Sequence, residues 1–122
     1  MKRTLLTIVA AVTVLFAPGA LYAQNYPARP LTVIVPFAAG GPTDVVARIV
    51  GEHMGKVLGQ QMIIENVAGA GGTTGTTRGA QAAPDGYTIM MGHMGTHGAA
   101  PALYPQLKYD PTRDFEPIGL IS

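Results

Sequence analysis

VIVPFAAGGPTDVVAR, residues 33–48, decides the fold. It begins inside a short β-branched run, residues 31–35, of the kind that forms a buried strand. Pro36 has no N–H to give to a ladder, so the strand is expected to stop there. Gly40 and Gly41 permit positive φ and let another group approach the backbone closely. Pro42 suits the turn into a helix opening at Thr43 or Asp44, whose side chains can accept from the first free helical N–H groups. Those N–H groups and the positive end of the helix dipole favour a bound anion. The turn carries no lysine or arginine, so its ligand is expected to be held mainly by backbone. That suits a small carboxylate better than a polyphosphate. Asp44 is read as a helix cap rather than a ligand-reading group, because an unpaired carboxylate would repel an anion. An amino group on the ligand would reverse that. Thr43 can serve as a cap or touch the ligand.

From this stretch the pattern extends along the chain. The helix is expected over residues 44–58, with Val46, Ile49, Val50, Met54, Val57 and Leu58 forming one apolar face. Gly59 is a natural terminator, and Gly51 and Gly55 would let the helix lie close on a sheet. A second strand is expected at 62–67, followed at once by a glycine-rich loop, 69–75. A second helix runs from Thr73 or Thr74 to Ala82 or Ala83. A Pro84-Asp85-Gly86 turn leads to a third strand at 87–91. The third glycine-rich loop, 92–98, precedes a short helix at 99–103. A long connection, 107–117, then reaches a fourth strand at 118–121. This β-α-β-α-β-α-β order predicts an α/β fold with a parallel sheet and right-handed crossovers. Ligands of such sheets sit beyond the carboxyl ends of the strands, where all three glycine-rich loops fall.

Eight basic against seven acidic residues give no electrostatic case for nucleic acid. Met1-Lys2-Arg3, the uncharged run from Leu5 to Phe16, the Pro18-Gly19 break and Leu21-Tyr22-Ala23 make the parts of a secretory signal, cut before Gln24. A retained anchor is the alternative, but the run is well short of the ~20 residues of a span. With residues 1–23 removed, no membrane span is expected in the remainder. There is no cysteine, which excludes a lipid-modified cysteine, a disulfide and a thiolate metal site. Export without disulfides fits a bacterial periplasm. The remaining ~100 residues suffice for one small domain.

Five motifs then stand in order: V-P-F-x-x-G-G-x-T-D from Val35, E-N-x-x-G-A-G-G-x-x-G from Glu65, A-P-D-G-Y-T from Ala83, G-T-H with P-x-L-Y from Gly95, and Y-D-P-x-x-D-F-x-P-I from Tyr109. Together they resemble the extracytoplasmic solute-binding proteins of tripartite tricarboxylate transporters, the Bug family, over essentially the whole chain after the signal. The resemblance implies a type II periplasmic binding protein, monomeric and periplasmic, whose two lobes close by a hinge on a small organic acid. It implies delivery of that acid to the membrane subunits of the transporter. Its ligand carboxylate is held largely by main-chain groups and ordered water. Carried over, the binding positions are Phe37, Ala38, Ala39, Gly40, Gly41, Thr43 and Asp44 in the first loop. Ala70, Gly71, Gly72 and Thr73 follow in the second, and Gly95, Thr96 and His97 in the third. Ala38 and Ala39 stand where members usually carry prolines, and Pro42 where many have a third glycine. Members are longer, so residues 24–122 are expected to be a truncated N-terminal lobe without the second lobe, hinge and C-terminal return. Half a cleft should bind weakly.

Other readings fare worse. Gly69-x-Gly71-x-x-x-Gly75 is one residue off the dinucleotide spacing and follows the second strand rather than the first. Gly40-Gly41 lacks the Lys-Ser/Thr pair of an NTP-binding loop. His93 and His97 have helical metal-ligand spacing, but Gly92, Gly95 and Gly98 argue against a helix there, so no metal is expected. The only serine is Ser122 and no nucleophile–base–acid set is visible, so neither catalysis nor a cofactor is expected. Besides the receptor reading there remain a truncated remnant that binds nothing and, third, an α/β nucleotide-binding enzyme.

Overall fold

The computed structural model describes residues 26–121. The export signal expected at 1–23 lies outside them. Strand β1 (Leu31–Val35) leads through the first glycine loop into α1 (Pro42–Leu58), and β2 (Met62–Asn66) follows. A 3-10 turn, Ala70–Gly72, opens directly into α2 (Thr73–Ala80), and β3 (Thr88–Met90) comes next. The third loop winds into a widened π-type turn, Met94–Ala99, continuous with α3 (Ala100–Leu103). The strands make a parallel sheet in the order β2-β1-β3. Helix α1 packs over β1 and β2, and α2 over β1 and β3. Because the chain leaves β1 toward β2 and then crosses back to β3, right-handed crossovers put the two helices on opposite faces. Leu31, Val33, Ile34 and Val35 are buried accordingly, as a strand covered on both faces requires.

Helix α1 begins earlier than expected and without the expected cap. Its N-cap is Gly41, Pro42 occupies the first turn, and no side chain caps the end. Proline's fixed φ preorganises that turn and its missing N–H costs nothing there. Gly59 ends the helix at φ 66°, as expected of a left-handed terminator.

The face that α1 buries also corrects the sequence reading. Asp44, Ala47 and Gly51 are its buried residues, whereas Val46, Ile49 and Val57 are exposed. Only Val50, Met54 and Leu58 of the expected face are partly covered. The reason is space: the inward stripe is made of small residues, and Met62 and Ile64 rise from β2 to fill the gap. A Cβ built on Gly51 would sit 3.4 Å from both Ile64 Cδ1 and Met62 Cβ. The helix thus lies close on the sheet, as Gly51 and Gly55 suggested.

Two further expectations fail. Residues 118–121 form no strand: Ile118, Leu120 and Ile121 are exposed and pair with nothing among the described residues. A strand needs an edge, and β3 offers one only three residues long. Residues 94–99 are helical despite Gly95 and Gly98, because side chains at both ends of the first turn satisfy its backbone. His93 Nδ1 accepts from the Gly95 N–H at 3.0 Å, and Thr96 Oγ1 accepts from the His93 N–H at 3.1 Å. That reciprocal capping offsets the glycines.

Candidate binding site at the carboxyl end of the sheet

Parallel strands ending in register deliver the three glycine loops to one edge. Val35 stands opposite Asn66, and Ile34 opposite Met90. The loops meet at Gly72, the buried end of the second. A Cβ there would lie 2.7 Å from Thr96 Cγ2 of the third loop and 3.1 Å from Phe37 Cζ of the first. The Phe37 ring also packs edge-on against His93, with centroids 5.2 Å apart. The sequence therefore placed all three loops correctly.

The first loop is held from beneath. Asp44 is 2 % exposed and accepts three hydrogen bonds. They come from the Gly40 N–H at 2.8 Å, Arg48 Nε at 2.9 Å and Asn66 Nδ2 at 2.9 Å. The guanidinium of Arg48 first, then the Gly40 N–H and the Asn66 amide, lower its pKa to about 2. Asp44 thus caps nothing, which overturns the expected role; it pins the loop to the sheet instead. The N–H groups of Thr43 and Asp44 find no acceptor among the described residues, as the first turn of a helix dictates. Around them Ala38, Ala39 and Gly40 are exposed, and Phe37, Gly41 and Thr43 half-buried.

The second loop has an unusual backbone. Gly69, Ala70, Gly71 and Gly72 all have positive φ, of 145°, 46°, 65° and 91°. Ala70 adopts it without being glycine, a strained state that surrounding structure must enforce. Such runs turn successive N–H groups into one concavity, a shape that accepts anions. Ala70 and Gly71 are exposed with N–H groups that meet no acceptor among the described residues. Thr73 turns its hydroxyl back to the Ala70 carbonyl at 2.9 Å.

Of the third loop, Gly95 is half-buried, Thr96 is fully buried and His97 is half-buried. Thr96 belongs to the support of the site rather than its surface. His97 Nδ1 lies 2.8 Å from Thr96 Oγ1, and its ring packs against Phe115 and Tyr109 at 5.1 and 6.4 Å. Tyr109 in turn donates its hydroxyl to the Thr96 carbonyl at 2.5 Å. Sequence reasoning missed Tyr109 and Asn66, although both stand inside quoted motifs. Among the described residues no three His, Asp or Glu side chains gather as a metal site. No helix among them is long and apolar enough to cross a membrane.

Burial of His97 pushes its pKa below the ordinary 6.5. A histidine that resists protonation when folded favours the native state fully above pH 6.5. As pH falls through 6.5 toward the lower folded value, the unfolded chain takes up the proton first. Stability is therefore expected to decline as pH falls below about 6.5. Denaturant midpoints across that range should fall in the natural chain and stay flatter in His97→Gln. The Asp44 contribution is untouched there, being lost only from pH 3.8 downward.

The model of the tripartite tricarboxylate transporter family receptor, TctC, matches residues 46–122. The chain belongs to this family. An Agrobacterium vitis relative, the UPF0065 protein in the TAR-I ttuE-ttuC' intergenic region, is 47% identical over 94% of the chain and 33% of its own length. Among solved structures, MatC from Rhodopseudomonas palustris, with bound malate, is 59% identical at a TM-score of 0.73. It covers 76% of this chain and 32% of its own. The periplasmic binding protein BugD is 54% identical at a TM-score of 0.74, over 77% and 31%. This chain therefore spans about a third of the length of the curated relatives it matches. Its fold is that of a periplasmic binding protein of the TctC receptor family.

Proposed function

We propose that this TctC-family chain forms part of the first lobe of a periplasmic receptor that captures a small organic carboxylate. The receptor passes its ligand to the membrane subunits of a tripartite transporter. Residues 1–23 direct export, and residues 24–122 supply one wall of the cleft. The observation that carries the reading is the convergence of three glycine-rich turns on Gly72, the first two bearing N–H groups without an acceptor among the described residues, with no lysine or arginine in any of them. Backbone donors at helix N-termini stabilise one or two carboxylate charges and leave a polyphosphate undercompensated. The contact set is Phe37, Ala38, Ala39, Gly40, Gly41, Thr43, Ala70, Gly71, Gly72 and Thr73, backed by Asp44, Gly95, Thr96 and His97. The malate in MatC makes a dicarboxylate the first choice of ligand.

The test is thermal unfolding of residues 24–122 with malate, other mono-, di- and tricarboxylates, and nucleotides, at matched ionic strength. A ligand at ten times its Kd stabilises by about 1.4 kcal/mol, which raises the Tm of a domain this size by about 6–11 °C. Malate or another dicarboxylate is expected to do this and ATP is not. A cooperative transition that no acid moves would overturn the reading.

A further inference from the structure

We infer that Asn66, at the end of β2, is the positioning residue that holds the first loop in its binding conformation, acting through Asp44. The inference rests on the carboxylate-receptor reading. Asn66 Nδ2 has two protons and two acceptors: the Phe37 carbonyl at 3.1 Å and Asp44 Oδ1 at 2.9 Å. Its Oδ1 faces the Arg48 guanidinium, with Nη2 at 3.3 Å. One primary amide thus ties the first residue after Pro36, the buried carboxylate under the loop and the cation that neutralises it. Asp44 carries the constraint onward, since its other oxygen takes the Gly40 N–H at 2.8 Å. Phe37 and Gly40 bracket Ala38 and Ala39, so the exposed apex of the loop is fixed at both flanks by a residue from the neighbouring strand.

The chemistry needed is narrow. Two donors must diverge from one atom toward two acceptors, with an acceptor beside them for a guanidinium. Serine or threonine supplies one proton. Aspartate has the same shape and no donor, and would set its oxygens against a carbonyl and a second carboxylate. Reversing the amide would do the same, which fixes its orientation. The inward side of Asp44 is therefore fully engaged, and the outward N–H groups of Thr43 and Asp44 are left in a set direction.

The isosteric Asn66→Asp variant separates positioning from bulk. Malate affinity is measured by calorimetry on residues 24–122, and amide exchange of Gly40 by NMR. Leu31→Ala, in the core at the far end of β1, controls for lost stability. Asn66→Asp is expected to weaken malate at least about tenfold and to speed Gly40 exchange by a similar factor, the loss of one charge-assisted hydrogen bond. Leu31→Ala should leave affinity within about twofold below its melting range. Asn66→His, which keeps one ring donor, should recover part of both. If Gly40 exchange is unchanged in Asn66→Asp, Asn66 does not hold the loop and the inference falls. If the natural chain binds no acid, the receptor reading falls instead, and the Gly40 exchange result alone decides what Asn66 does.

Discussion

Gly75→Ala is expected to lower the unfolding midpoint by about 12–24 °C, the equivalent of roughly 3 kcal/mol in a domain of this size. Helix propensity alone argues the other way, since alanine gains about 1 kcal/mol over glycine inside a helix. Packing decides. A Cβ on Gly75 would stand 2.5 Å from the Val67 carbonyl and 2.8 Å from Pro36 Cα. Both are backbone atoms at the ends of β2 and β1, and neither can yield without spreading the first two loops. Gly51→Ala is the matched comparison. Its Cβ would meet Ile64 and Met62 at 3.4 Å, an ordinary contact, so that variant should be neutral or more stable by up to about 1 kcal/mol. Thermal scans should show a large drop for Gly75→Ala and none for Gly51→Ala. A Gly75→Ala protein as stable as the natural chain would mean that α2 does not press on the loop bases.

Gly72→Ala should do comparable damage, and do it at the binding edge. Two costs combine there. A φ of 91° is strained for any residue with a Cβ, at about 1–3 kcal/mol. The added methyl would also lie 2.7 Å from Thr96 Cγ2, on a β-branched side chain that is fully buried. Overpacking of that kind adds about 1–3 kcal/mol. Because Thr96 and Phe37 come from different loops, relief requires the third loop to part from the first. The expected result is a drop of roughly 4 kcal/mol in chemical denaturation, the sum of the two costs. Any carboxylate-dependent rise in Tm should vanish with it. A stability loss that leaves the malate response intact would separate the Gly72 contact from binding.

What could be read from the sequence divides along physical lines. Strands, turn residues and glycine loops are local signals, and β1, Pro36 and the loop at Gly69 stand where their chemistry put them. The convergence of the loops followed from topology alone. Side-chain partnerships did not. Asp44 looked like a cap because caps are local, yet its acceptor role is completed by Asn66, 22 positions away. The face of α1 misled for a related reason. Val46, Ile49 and Val57 have the right period for a core, but the helix turns Ala47 and Gly51 inward because Met62 and Ile64 occupy the room that larger residues would need. At 94–99 glycine content argued against a helix, and the capping pair His93 and Thr96 outweighed it. Residues 118–121 have strand composition, yet among the described residues they pair with neither edge of the sheet.

The order β2-β1-β3 has a temporal side. The central strand is the first to be made, and its partners follow only about thirty and fifty-five residues later. At 5–20 residues per second, Val35 is made about 2–6 s before Asn66, the residue that stands opposite it. The second crossover takes several seconds more. Through that interval the most apolar strand of the sheet is an unpaired ribbon, open to anything that holds extended chains. The arrangement that brings three loops to one edge also makes β1 the segment that waits longest for its neighbours.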